Sequence, residues 1–314
     1  MKRTERVTVL AGGVGAARLL RGLSSLLEPR ALTVIVNTGD DETFFGLHVS
    51  PDVDTILYTL AGVVSPGQGW GIDRDTFRCL QALQGYYTDA WFQLGDRDLA
   101  THIYRTDRLR RGDSLTVITH AIAEAHCVRQ RVLPMTDAAV RTFVRVAGHG
   151  TLPFQEYLVH RRGHGKVESI EPRGAKEARP ATGVLEAIRQ ARYVILPPSN
   201  PFVSIGPILA LRGVAATLRS TRARVAAISP IVGGAPIKGP LHRMLRGLGH
   251  EVSALGVARL YKDFVDLFVI DRCDRRFAEP IAELGMKSVV TDTIMSTPAK
   301  SLRLAGAVLQ ALES

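Results

Sequence analysis

The 314-residue chain predicts an α/β fold, a Rossmann-like, doubly wound and mostly parallel sheet with a helical insertion. Three observations predict it. Short β-branched runs recur along the chain, several of them continuously apolar, as strands buried on both faces of a parallel sheet are. Helical patterns lie between many of these runs, and such alternation implies crossover connections. A glycine-rich turn follows the first run and opens a helix, and sheets of this kind bind ligands at the carboxyl ends of their strands.

The elements follow in chain order. VTVL at 7–10 is the first strand, and AGGVGAARLL leads from it into the helix AARLLRGLSSLL. LTVIV at 32–36 is the second strand, and NTGDDETFFGLHVSPDVDT (Asn37 to Thr55) runs from it into a helix, DTILYTLAG. From about 60 to 113 strand signals are scarce, so this part is expected as a mostly helical insertion within a single domain spanning 1–314. LTVIT at 115–119 is expected as a strand, and residues 160–182, rich in charge, Gly and Pro, as a surface excursion. GVLEAIRQAR reads as a helix before the strand YVILP at 193–197, and VAAIS at 225–229, LFVID at 267–271 and SVVTD at 288–292 complete the sheet.

Composition narrows the class. A chain that is 46% hydrophobic and 22% charged can bury a sizeable core as a soluble protein. No run approaches the length of a membrane span, and glycines interrupt the apolar stretch near the start, which therefore reads as strand and turn rather than leader. Three cysteines without a CxxC pair fit a reducing cytoplasm and argue against a disulfide framework or a zinc site. The net charge is +10, yet arginines are spread along the chain and aromatics are only 6%. A diffuse field that gathers small anions fits this better than a nucleic-acid surface.

Five loops carry candidate chemistry. Gly12, Gly13 and Gly15 let the backbone approach an anion and aim the following helix's N–H groups and positive dipole end at it. The loop lacks a Walker lysine, and Ala17 stands at the sixth position of the would-be GxGxxG. It reads as a phosphate-binding turn, with tight packing as the plainer alternative. In the second loop Asn37 and Thr38 offer hydrogen bonds to a substrate, and Asp40 and Asp41 sit on the turn. Asp52 and Asp54, in an extended approach to the helix, point the same way. Paired carboxylates suit Mg²⁺, whereas an N-cap and a turn explain either pair alone. Beside the glycine loop, the pairs favour a metal and diphosphate site.

LGDRDLATHIYR sets Asp96 and Asp98 about Arg97, with Thr101 and His102 a turn later, and a helix start capped by Asp96 explains much of it. PPSNPFVSIGP (197–207) and SPIVGGAPIKGP (229–240) each follow an apolar strand. Ser199, Asn200 and Ser229, with Pro201 and Gly233 beside them, suit a base, ribose or phosphate on the same edge. GxSxG, HExxH and Cys–His signatures are absent, which argues against serine or cysteine hydrolases and zinc enzymes.

GGVGAARLLRGL, NTGDDETFFGLHVSPDVDTILYTLAG, WGIDRDTF, LGDRDLATH, LPPSNPFVSIGPIL, SPIVGGAPIKGP and YKDFVDLFVIDRCD resemble, in this order, the 2-phospho-L-lactate transferases of coenzyme F-420 biosynthesis. The resemblance runs from about residue 7 to 300. It implies a Mg²⁺-dependent enzyme that takes a guanosine diphosphate adduct of a small hydroxy acid. The phosphorylated acid (phospholactate, phosphoenolpyruvate or phosphoglycerate) passes to the ribityl hydroxyl of the deazaflavin Fo, and GMP is released. It further implies a homodimer, with neither nucleic acid nor membrane as partner.

The candidate metal ligands are Asp40, Asp41, Asp52 and Asp54, with Asp41 and Asp54 also the candidate catalytic residues; a carboxylate such as Asp54 either coordinates the metal or accepts the hydroxyl proton, and sequence does not separate the two roles. Substrate contacts extend to Gln93, Asp96 and Arg97; Gln93 stands where relatives often carry a basic residue, which removes a charged contact to Fo. The rival reading is a sugar-nucleotide-binding regulator of the gluconeogenesis-factor family, which shares the glycine loop but lacks the NTGDD…SPDVDT arrangement. A nucleic-acid-binding reading rests on charge alone and predicts steeply salt-dependent retention.

Overall fold

Seven strands form one sheet: β1 (Val7–Ala11), β2 (Leu32–Val36), β3 (Arg131–Pro134), β4 (Tyr193–Leu196), β5 (Arg224–Ile228), β6 (Leu267–Asp271) and β7 (Lys287–Thr291). Their spatial order is β7-β6-β5-β4-β1-β2-β3, and every neighbouring pair is parallel. The computed structural model describes residues 3–314. Beyond β7, this is the 3-2-1-4-5-6 order of doubly wound nucleotide-binding folds, with its switch point between β1 and β4.

Alternation along each strand divides the core between two faces. Val9, Val34, Ile195, Ala226 and Val269 face one layer, with helix α1 (Gly13–Leu26), helix α2 (Pro51–Leu60) and the C-terminal helix Pro298–Glu313. Leu10, Ile35, Val194, Ala227 and Phe268 face the other, with the helices Val184–Gln190, Val214–Ser220 and Ala254–Tyr261. Because both faces are covered, β1 is buried at all five positions.

Two expectations fail on local grounds. LTVIT is not a strand but the start of a helix, Leu115–Ala125. Ser114 caps it, its side chain accepting from the Val117 N–H, and Leu115, Ile118 and Ile122 are buried at helical spacing. The sheet strand is instead the next run, Arg131–Pro134, paired with β2. Residues 160–182 also contain more than a surface excursion. Val167–Arg173 pairs antiparallel with Arg141–Val146, which pairs with Gly150–Pro153, so that three strands form a second, antiparallel sheet. Residues 60–113 hold the helices Arg78–Leu83 and Asp96–Arg110 among turns.

Candidate active site

The loops after β1, β2, β4 and β5 meet at the carboxyl edge of the sheet. Gly13 adopts φ +74° at the start of α1 and donates its N–H to Asp52 Oδ1 at 2.7 Å. A Cβ on Gly15 would stand 2.3 Å from the Pro198 carbonyl oxygen, so the loop after β4 closes onto α1 only because this position is glycine. Ser199 Oγ donates to the Gly12 carbonyl at 2.8 Å and ties the same two loops together.

The acidic stretch is organised by α2, not by an extended approach. Helix α2 starts at Pro51, placing both Asp52 and Asp54 in its first turn. Residues two apart on a helix point to different sides, and the two carboxylates diverge. Asp52 faces the glycine loop, accepting from Gly13 N–H and, at 2.9 Å, from Asn37 Nδ2. Asp54 also borders the cavity but turns from the glycine loop towards the helix Asp96–Arg110. There Arg105, fully buried, donates from Nη1 to Asp54 Oδ2 at 3.1 Å and from Nη2 to Oδ1.

Behind Asp54 lies a buried relay. His102 Nδ1 is 3.7 Å from Asp54 Oδ2 and 3.2 Å from Arg105 Nη1, and His102 Nε2 is 3.3 Å from Asp98 Oδ2. Tyr58 on α2 donates to Asp98 Oδ1 at 2.7 Å. Burial alone would push Asp98 up, but His102 and Tyr58 outweigh it and hold the carboxyl below its usual range. Burial likewise works against the Arg105 charge, and Asp54 more than restores it.

The carboxylates nearer the glycine loop behave oppositely. Burial pushes Asp52 up to about 6, with the Asn37 and Gly13 hydrogen bonds opposing. Burial and then the charge of Asp52 hold Asp40 well above the ordinary range. Asp40 Oδ1 is buried without a hydrogen-bond partner. Asp41 is also raised by burial; its Oδ2 accepts from Ser50 Oγ at 2.7 Å and lies 3.0 Å from His48 Nε2.

These groups open on one cavity of about 560 Å³. Of the residues expected from sequence, Gly12, Gly13, Gly15, Asp40, Asp52 and Asp54 line it, as do Gln93, Ser199, Asn200 and Ser229. Asn37, Thr38, Asp41 and Pro201 lie just behind this wall as buried support. Asp96 sits further off and accepts from Thr76 Oγ1 and the Arg78 and Cys79 N–H groups, capping the helix Arg78–Leu83 rather than its own. The cap of the helix Asp96–Arg110 comes from Asp75, which accepts from the Arg97 and Asp98 N–H groups. The Arg97 guanidinium donates to the Asp73 carbonyl, and Gly233 N–H donates to Asp274 at 3.0 Å; neither residue lines the cavity.

Sequence reasoning missed Arg18, Tyr58, Gln155 and Lys238, which line the cavity, and Arg105 behind it. It also missed the apolar wall built by Trp70, Phe92, Phe154, Leu158 and Ile237. Only the spacing of Asp98 and His102, one helical turn apart, was visible beforehand as a pattern.

Two acidic groupings bear on a metal. Asp40 and Asp52 offer buried carboxylate oxygens, one of them unpartnered, and an all-oxygen set beside the glycine turn fits a hard cation such as Mg²⁺. Asp54, Asp98 and His102 bring three ligand atoms within 4.8 Å of one another. There, however, Arg105 takes both oxygens of Asp54 and supplies the neutralising charge itself. The geometry therefore divides the acids into a cation-deficient pair at the glycine loop and a compensated network behind it.

Comparison with known proteins identifies the family. The family model of 2-phospho-L-lactate transferase CofD matches residues 7–305. The chain is 43% identical over 317 aligned positions to a phosphoenolpyruvate transferase of Thermobifida fusca, covering 97% of each. It is 41% identical to a phosphoenolpyruvate transferase of Streptomyces griseus, covering 98% of each. Identity to a 2-phospho-L-lactate transferase of Methanosarcina mazei is 38%, over 96% of this chain and 99% of that one. Among solved structures, a UPF0052-family protein from Bacillus halodurans matches with a TM-score of 0.66 at 16% identity, over 98% of this chain and 100% of that one, a likeness of fold. The chain belongs to the 2-phospho-L-lactate transferase CofD family and is a transferase enzyme.

Proposed function

We propose that this enzyme moves a phosphorylated small hydroxy acid from a guanosine diphosphate adduct to the ribityl hydroxyl of the deazaflavin Fo, releasing GMP, in biosynthesis of coenzyme F-420. The observation that carries the reading is the two-part character of one cavity. It is lined by the glycine turn and buried carboxylates and also by aromatic and aliphatic side chains suited to a flat apolar ring system. An alcohol attacking phosphorus needs positioning and charge neutralisation rather than a covalent nucleophile, and none of the three cysteines lines the cavity.

The residues divide the work as follows. The first turn of α1 receives a diphosphate oxygen at its N–H groups and dipole end. Asp40 and Asp52 would hold Mg²⁺, with Asp41 as support through Ser50 and His48. Bound there, the cation neutralises phosphate charge and makes the phosphorus easier to attack. Asp54, fixed by Arg105, faces the cavity as acceptor of the proton leaving the attacking hydroxyl, and Ser199, Asn200 and Ser229 orient the nucleotide. The apolar wall receives Fo, with the neutral Gln93 beside it, and keeps water from competing with the hydroxyl. The reading includes a cytoplasmic homodimer. Among the described residues no helix is long and apolar enough to cross a membrane.

The test is incubation of purified protein with Fo, Mg²⁺ and the lactyl, enolpyruvyl and glyceryl adducts of diphosphoguanosine in competition, with products read by mass spectrometry. The reading predicts Fo heavier by one phospho-acid, and GMP in equal amount. Fo recovered unmodified from every adduct, with tight binding of a sugar nucleotide, would favour the regulatory alternative. The same masses assign the acid.

A further inference from the structure

Two cations line the cavity without a carboxylate partner. Arg18 lies one turn beyond Gly15 on α1, and its guanidinium makes no hydrogen bond or ion pair among the described residues. Lys238 reaches in from the loop after β5, and its Nζ donates to the Gln68 backbone carbonyl at 2.9 Å. Burial, and then the like charge of Arg18, pushes the Lys238 ammonium below its ordinary range, so the two cations share one electrostatic environment. Arg18 is half-buried and Lys238 exposed at the cavity mouth, and like charges gathered at a cleft without a counter-charge attract an anion. Of the acids in the cavity wall, Asp54 is engaged by Arg105, Asp52 by Gly13 and Asn37, and Asp98 by Tyr58 and His102, while Asp40 Oδ1 is buried without a partner and forms no ion pair with either cation among the described residues. A neutral carbonyl is a weak partner for an ammonium compared with a phosphate oxygen.

We propose that Arg18 and Lys238 are the residues that grip the diphosphate of the nucleotide donor, and that Lys238 leaves the Gln68 carbonyl to do so. The assignment rests on the donor reading given above. It has a consequence for the other substrate. Gln68 is two residues from Trp70, another residue of the cavity wall, and the intervening Gly69 packs against Val14 of the glycine turn, so donor binding releases the segment that carries Trp70. A binding lysine tied in this way couples occupation by the donor to the position of an aromatic residue in the cavity wall.

Calorimetric titration of GDP with Mg²⁺ tests the grip, using Lys238→Met, Arg18→Met and Lys238→Arg. Loss of a charged hydrogen bond to phosphate weakens GDP about tenfold or more in either Met variant, while the Arg variant retains most affinity. Guanosine, which carries no phosphate, binds equally to all four proteins. In a Trp91→Phe background Trp70 is the remaining tryptophan, and its emission shifts on GDP addition but not when Lys238 is Met. If wild type binds GDP and the Met variants bind it equally well, the assignment of Arg18 and Lys238 fails alone. If guanosine binding falls alongside GDP, the two residues are structural and the assignment fails. An unchanged Trp70 emission on GDP binding refutes the release of Gln68. A wild type that binds neither GDP nor inorganic pyrophosphate overturns the donor reading and this assignment together.

Discussion

Replacing Arg105 with Met is expected to destabilise the protein strongly although Arg105 does not line the cavity. Arg105 is wholly buried and holds both oxygens of Asp54, itself 4% exposed. Met fills much of the same volume, so the main loss is electrostatic. Removing one member of a buried ion pair leaves an uncompensated charge, at about 3–5 kcal/mol. With an unfolding entropy of ~2.1 cal/mol/K per residue over 314 residues, that corresponds to a melting temperature lower by about 5–8 °C. Calorimetry of the metal-free protein reads this directly. The double variant Arg105→Met with Asp54→Asn recovers most of the loss, because the stranded charge is gone. A single variant that melts with wild type, or a double variant worse than the sum of the singles, would refute the claim that Arg105 exists to compensate Asp54.

The remaining predictions concern the glycine-loop end. Asp40→Asn abolishes the rise in melting temperature that Mg²⁺ gives the wild type, whereas Asp98→Asn leaves a clear Mg²⁺ response; thermal shift with and without the cation separates them. The sign of the pH effect follows from Asp52, whose folded value of about 6 lies above the ordinary 3.8. A raised carboxyl stabilises the fold below its unfolded value and loses that contribution as pH rises through about 6, a change of about 3 kcal/mol. Mg²⁺ must displace this proton, so its stabilising effect is larger above about pH 7 than at about pH 5; equal shifts at both would contradict a site on Asp40 and Asp52. Gly15→Ala brings a Cβ to 2.3 Å from the Pro198 carbonyl, so it forces the two loops apart and lowers both thermal stability and GDP affinity. Phe92→Ala opens the apolar wall and raises KM for Fo more than KM for the donor in steady-state assays.

The legible parts of the fold were those in which local pattern and tertiary environment agree. β1, β2 and β4 to β6 are apolar runs because both faces of the sheet are covered, and their limits fell within a residue of the apolar runs. LTVIT misled because Thr116, Val117 and Thr119 give a β-branched run inside a helix whose evidence lies outside it, in the Ser114 cap and in Ile122. RVLP was missed because four residues carry little periodicity. At the site, the glycine turn and the acidic stretch could be found from spacing alone. The direction of Asp52 and Asp54 could not, because it depends on α2 beginning at Pro51 and so rotating the two apart. Arg105 was invisible for a different reason: its partner is 51 residues away, and an arginine reads as surface until its environment is known.

In the proposed function one cavity holds the diphosphate and its cation at the glycine turn and the acceptor against aromatic side chains. A crystal structure of the enzyme with Mn²⁺, GDP and Fo tests it most directly, since Mn²⁺ is located by its anomalous scattering. The prediction is a metal on Asp40 and Asp52 bridging to the diphosphate at the first turn of α1, with the Fo ring against Trp70 and Phe92. A metal on Asp54, Asp98 and His102 with Arg105 displaced, or GDP bound away from Gly13 and Gly15, would contradict it.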